Sequence, residues 1–126
     1  MSDKRDIESR KDIELLIKNF YDKLLVDDVV GYLFTEVVEL DLEEHLPRLV
    51  GFWEGQLFGV NSYSGNPMRV HLDLNSQEHL RKDHFDRWLS HFNTTVDELF
   101  EDPKAHLAKE RALSIATVMQ IKIAQL

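Results

Sequence analysis

Apolar residues along this chain recur mostly three and four positions apart, the spacing that lines one face of a helix. From Ser9 to Leu25 the positions Ile13, Leu16, Ile17, Phe20 and Leu24 form such a stripe, with Tyr21 beside it. Ser9 followed by Asp12 reads as a capping box at its start. After Asp28 the residues Val29, Val30, Tyr32, Leu33 and Phe34 crowd together and Gly31 loosens the run, which reads as a tight helical corner. The next helix is expected from about Asp41 to Leu57, with Leu42, Leu46, Leu49, Trp53 and Leu57 on one stripe and His45, Leu49, Phe52 and Gln56 on its neighbour. Pro47 fits the first turn if Glu43 or Glu44 opens this helix, because its ring then meets no preceding turn. A helix apolar over more than half its circumference packs on two sides, against protein on one and something else on the other.

Gly59, Asn61, Ser62, Ser64, Gly65 and Asn66 mark a loop between Gly55 and Pro67, and Asn66-Pro67 then starts a short helix through Met68, Val70, His71 and Leu72. Asp83 is placed to cap a helix carrying Phe85, Trp88, Leu89 and Phe92. Asn93-Thr94-Thr95 is expected to interrupt or kink it, with Thr95 and Glu98 capping a further turn. Asp102-Pro103 opens a last helix with Ala108, Ala112, Ile115, Met119 and Ile123 facing inward. With five Gly, three Pro and no Asn-Gly or Asp-Gly hairpin signal, no strand is indicated. The fold class is all-α, with five or six helices.

The length of 126 residues suits one domain over 1–126, with a flexible polar segment at 1–8. Fifteen basic against 23 acidic side chains give a net charge of −8, and no clustered Lys/Arg field exists to meet phosphates, so nucleic acid is not an expected partner. No apolar run approaches the roughly 20 residues that span a bilayer, and the N-terminus lacks a secretory pattern, so no membrane partner and a cytoplasmic location are expected. Cysteine is absent, which removes disulfides, iron–sulfur clusters, cysteine-bearing zinc sites, thiolate-ligated haem and covalent haem attachment. Any metal must be held by His or carboxylate.

The six histidines therefore matter. His84 and His91 share a helix face with Trp88 but have no carboxylate in a zinc-site pattern. His79 and His106 sit among charged neighbours and read as surface. His71 is flanked by Val70 and Leu72 on the proline-started helix, and His45 lies above Leu49 and Phe52 on the two-sided helix. Each taken alone fits a boundary histidine whose nitrogens bond backbone carbonyls. Two such histidines on different helices can also bracket a flat cofactor.

Several markers combine in one order: Phe20-Tyr21 on the first helix, Phe34 at the corner, Glu43-Glu44-His45-Leu46, Gly51-Phe52-Trp53-x-Gly55, His71-Leu72-Asp73-Leu74, and Phe85-x-x-Trp88-Leu89. From about Ile13 to Ile123 this set resembles the truncated haemoglobins, and group III in particular. The glycine pairs of most truncated haemoglobins are reduced here to isolated Gly55, Gly59 and Gly65, which speaks against groups I and II and agrees with group III.

The resemblance implies a truncated globin fold, a helical sandwich around a haem pocket, with haem b as cofactor. It implies His71 as the proximal iron ligand, its second nitrogen donating to a backbone carbonyl. Phe34, Leu49, Phe52, Val70, Leu72 and Trp88 are then the candidates for contact with the porphyrin. Arg48 and Arg69 are placed to pair with propionates. On the distal side it points to Tyr21, His45 and Trp88, whose hydroxyl and indole N–H stabilise a diatomic ligand that takes on negative charge. His45 is either a gate or a sixth ligand.

The implied function is reversible binding of O2 and other diatomics, with redox chemistry on the bound ligand, either nitric oxide dioxygenation or peroxide reduction. Either reaction needs a separate reductase, since no Gly-rich dinucleotide motif is present. A monomer or weak homo-oligomer is expected. The competing readings are a haem-free helical sensor or interaction module with a globin fold, and a simple oxygen storage or transport globin.

Overall fold

The computed structural model describes residues 4–37, 42–59 and 80–124. Four long helices make up most of this: α1 (Arg10–Leu25), α2 (Leu42–Phe58), α3 (Lys82–Leu99) and α4 (Pro103–Ala124). Between α1 and α2 the chain turns through a helical corner that ends in a π-helical turn, Leu33–Val37. No strand occurs among the described residues; an isolated bridge joins Arg5 to Phe100. Helix α1 pairs with α2 and crosses α3, while α3 pairs with α4 and α4 also touches α2. The all-α class is the one expected from the apolar stripes, and the helical sandwich is the one the resemblance implies.

The core lies where those stripes converge. Ile13, Leu16, Ile17, Phe20 and Leu24 of α1 are all buried, as are Val50, Trp53 and Leu57 of α2 and Phe85, Phe92 and Val96 of α3. Helix α4 contributes Ala105, Ala108, Ala112 and Ala116, small side chains that let its neighbours approach closely. Phe92 is fully buried at the centre. It stacks on Trp53 with ring centroids 4.8 Å apart and on Trp88 at 5.8 Å, and meets Phe20 edge-on at 5.2 Å. Such aromatic contacts contribute about 0.5–1.5 kcal/mol each beyond burial, and they also fix ring orientation.

Several local readings are corrected. Ser9 is the N-cap of α1 but its side chain makes no capping bond; Asp12 reaches back instead, accepting from the Glu8 N–H at 2.8 Å and pairing with Arg5. Segment 4–8 is not a loose lead-in: Ile7 is buried, and the Asp6 carboxylate accepts from the backbone N–H groups of Lys104 and Ala105, both at 2.9 Å. Asp6 thus caps α4 from the far end of the sequence, a partner that local spacing cannot reveal.

Pro47 stands inside α2, since that helix is already formed at Leu42. Its missing N–H leaves the Glu43 carbonyl without a donor, and both residues are exposed, so that carbonyl can turn to solvent. Helix α2 ends at Gly59, whose φ of +72° is the left-handed conformation that glycine adopts without penalty. Helix α3 starts after Arg81, not at Asp83, and runs unbroken through Asn93-Thr94-Thr95. The buried Thr95 hydroxyl donates to the His91 carbonyl one turn back at 2.7 Å, so it is satisfied within the helix. Met68, Val70, His71 and Leu72 of the expected short helix lie outside the described residues.

Because Phe92 touches three other rings and no solvent, Phe92→Ala is expected to lower the unfolding free energy by about 3–5 kcal/mol, measured by urea denaturation. A loss near that of a surface substitution contradicts its central place.

Candidate functional site

A cavity opens where the corner, α3 and α4 meet. The corner supplies Val30, Leu33 and Phe34; the start of α3 supplies His84, Phe85 and Trp88, with Leu80 just before it; α4 closes the far side with Ile115, Ala116 and Met119. The cavity is about 50 Å³ and partly open to solvent, and its walls are almost wholly apolar, the lining usual for small-molecule and cofactor sites.

Each wall is held by an identifiable device. The corner begins at Asp27, whose Oδ1 accepts from the N–H groups of Val29 at 2.7 Å and Val30 at 3.1 Å, so Asp27 rather than Asp28 caps it. The other oxygen, Oδ2, lies 2.5 Å from His91 Nε2 and 3.3 Å from an Arg87 guanidinium nitrogen, both on α3. Burial pushes the Asp27 carboxyl up, but the hydrogen bond from His91, the two backbone N–H groups and the Arg87 charge outweigh it and hold the pKa at about 2. Gly31 sits where a Cβ would meet the Leu25 carbonyl oxygen at 2.8 Å, so the corner approaches the end of α1 more closely than any side chain permits. Gly31 is there for contact, not for looseness.

Of the residues singled out from the sequence, Phe34 and Trp88 lie in the cavity wall. Tyr21 stands behind that wall, its ring 5.7 Å from Phe34, edge-on, and 5.5 Å from Phe20, which in turn meets Trp88 at 5.7 Å. Tyr21 is buried, burial pushes its phenol up, and the hydroxyl therefore keeps its proton as a donor. No described residue hydrogen-bonds the Tyr21 hydroxyl or the Trp88 indole N–H. His45, Leu49 and Phe52 are half-buried on α2, with Phe52 edge-on to Trp53 at 5.6 Å, and they do not line this cavity. Arg48 is exposed. Val70, His71 and Leu72, with Arg69 and His79, fall outside the described residues.

His84 and His91 each bond protein groups, and among the described residues no group of three or more His and carboxylates is placed to hold an ion. His84 is the residue that sequence reasoning undervalued. It is only 3% exposed and faces the cavity, bonded to Arg81 N–H and to the Tyr32 hydroxyl. The available signal was its position one turn before Trp88 on the same face. His106 is exposed and pairs with Glu110 at 3.0 Å.

These features define a globin: a helical sandwich enclosing an apolar slot with a tyrosine and a tryptophan at hand. The chain matches the bacterial-like globin family over residues 6–124, and it belongs to that family, whose members bind haem and through it diatomic ligands. It is 27% identical over 115 residues to a group 3 truncated hemoglobin of Campylobacter jejuni, covering 89% of this chain and 88% of that one. Its fold is similar to the crystal structure of a group III truncated hemoglobin from Campylobacter jejuni, with a TM-score of 0.84 at 25% identity over 95% of this chain and 94% of the other. Both likenesses agree with the group III resemblance of the sequence markers.

The described residues fit a haem. Apolar walls with flat aromatic rings suit a porphyrin's faces, and the buried Tyr21 hydroxyl and half-buried Trp88 N–H, which no described residue bonds, suit a polar ligand.

The Asp27 contacts set a pH dependence. The folded pKa lies below the unfolded value near 3.9, so the folded state binds fewer protons, and the stabilisation is complete above about pH 4 and lost as pH falls towards 2. For this shift that is about 2 kcal/mol. The gap in unfolding free energy between the native chain and Asp27→Asn is expected to shrink by that amount from pH 5 to pH 2. A constant gap contradicts a charged Asp27 in the folded protein.

Proposed function

We propose that this chain is a haem b globin that binds O2 and other diatomics and uses the bound ligand in redox chemistry, nitric oxide dioxygenation or peroxide reduction. The observation that carries this reading is the apolar cavity with Trp88 in its wall and Tyr21 one ring behind Phe34. Haem, when bound, supplies an iron centre that takes diatomic ligands reversibly and exchanges single electrons.

The chain's own residues set what happens around it. Leu33, Phe34, Ile115 and Met119 keep water from the slot. His71 is proposed as the proximal ligand, with Val70 and Leu72 beside it. The Tyr21 hydroxyl and the Trp88 N–H would donate to a diatomic ligand, each contributing on the order of 1 kcal/mol. His45, on α2, acts there as gate or competing ligand. Leu49 and Phe52 would complete the porphyrin contacts from α2, and Arg69 and the exposed Arg48 would pair with propionates. The absence of cysteine supports non-covalent haem.

Two donors slow ligand release by about tenfold or more, which suits reaction on the ligand better than delivery of oxygen. Electrons then come from a separate reductase, and the location proposed is the cytoplasm; no helix among the described residues is long and apolar enough to cross a membrane.

Titration of the purified chain with haem is expected to give a sharp Soret band, lost in His71→Ala. Free-haem absorbance in the native chain contradicts the reading. Tyr21→Phe is expected to raise the O2 dissociation rate about fivefold, measured by stopped flow. An unchanged rate removes Tyr21 from the distal role.

A further inference from the structure

His84 is the one ionisable side chain among the described residues that line the cavity. An imidazole in an apolar wall costs free energy unless its nitrogens are bonded, and a phenylalanine would fill the same space without that cost. Its bonds to Arg81 and Tyr32 fix its form. The Arg81 backbone N–H donates to Nδ1 at 3.0 Å, so Nδ1 carries no proton. The neutral ring then has its hydrogen on Nε2, which lies 3.2 Å from the Tyr32 hydroxyl oxygen and donates to it. His84 takes the place that Glu or Gln usually holds at the third residue of a helix, bonding back to the cap, and its other edge is left to reach across to the corner.

Its position gives that bond a purpose. Tyr32 immediately precedes Leu33 and Phe34 in the corner, and His84 stands one turn before Trp88 on α3. The same two elements are joined a second time by Asp27 and His91. Between these two ties the corner presents Val30, Leu33 and Phe34 to the slot.

We propose that His84 is a positioning residue of the haem site: its neutral imidazole, anchored on Arg81 and donating to Tyr32, fixes how far Leu33 and Phe34 stand from Trp88. This rests on the haem reading above. The Asp27 tie holds the start of the corner to α3, and the Tyr32 tie holds the part that carries Phe34. Without the second, Leu33 and Phe34 can swing away from α3 while the corner remains attached.

The test compares Tyr32→Phe, His84→Leu, their double variant and His84→Gln in the haem-loaded protein, reading the rate of haem loss to an excess of an acceptor apoglobin. Tyr32→Phe and His84→Leu are each expected to speed haem loss about fivefold, and the double variant no more than either. His84→Gln, which can accept from Arg81 and donate to Tyr32, is expected to bring the rate back close to that of the native chain. Nitrogen NMR of the His84 ring is expected to show the neutral Nε2–H tautomer. Lower unfolding free energy with unchanged haem loss, or additive effects in the double variant, overturns the proposal. Tight haem binding with His84 protonated on Nδ1 overturns the positioning role alone. A chain that takes up no haem, with His84 still the Nε2–H tautomer, overturns the haem reading and the role built on it.

Discussion

The stacking of Trp53, Phe92 and Trp88, with Phe20 set edge-on against Phe92 and Trp88, is the contact on which the rest of this structure depends. It joins α1, α2 and α3 through one buried ring. Rigid aromatic side chains have few rotamers to lose and pack in defined orientations, so the cluster fixes the angle of Trp88 as well as the separation of the helices. A cavity beside a loosely packed core would close, because void space costs contacts on every lining atom. Here the ring cluster forms a wall that does not move in to fill it.

The opposite wall depends on polar contacts. The corner carries Gly31 pressed against the end of α1 and sinks Val30 and Leu33 into the core. It is tied to α3 by Asp27 and Tyr32, each bonded to a histidine of that helix. Two histidines that look like candidate metal ligands in sequence are thus the means by which an apolar cavity keeps its shape. The arrangement places the polar groups at the joints and leaves the lining almost wholly apolar.

Much of this was legible in the sequence, for physical reasons that differ by element. The stripes of α1 and α4 predict their buried residues because a helix that packs on one side must repeat at 3.6. The helical corner, and the presence of Phe34 and Trp88 at a shared site, also follow from the sequence markers. Three features were not legible. The continuity of α3 through Asn93-Thr94-Thr95 was hidden because threonine favours caps as readily as it bonds back to its own helix, and only burial decides. The Asp6 cap on α4 joins residues almost a chain length apart. His84 and Asp27 each required knowing which helix lies across the corner.

The site reading turns on what occupies the slot between the corner, α3 and α4, and a crystal structure of the haem-loaded protein measures that most directly. The expected result is a porphyrin in that slot, in contact with Phe34, Ile115 and Met119 and held through His71, with the Tyr21 hydroxyl and Trp88 indole N–H within reach of a bound ligand. Haem bound elsewhere on the protein, or an iron whose protein ligand is His84, contradicts the account.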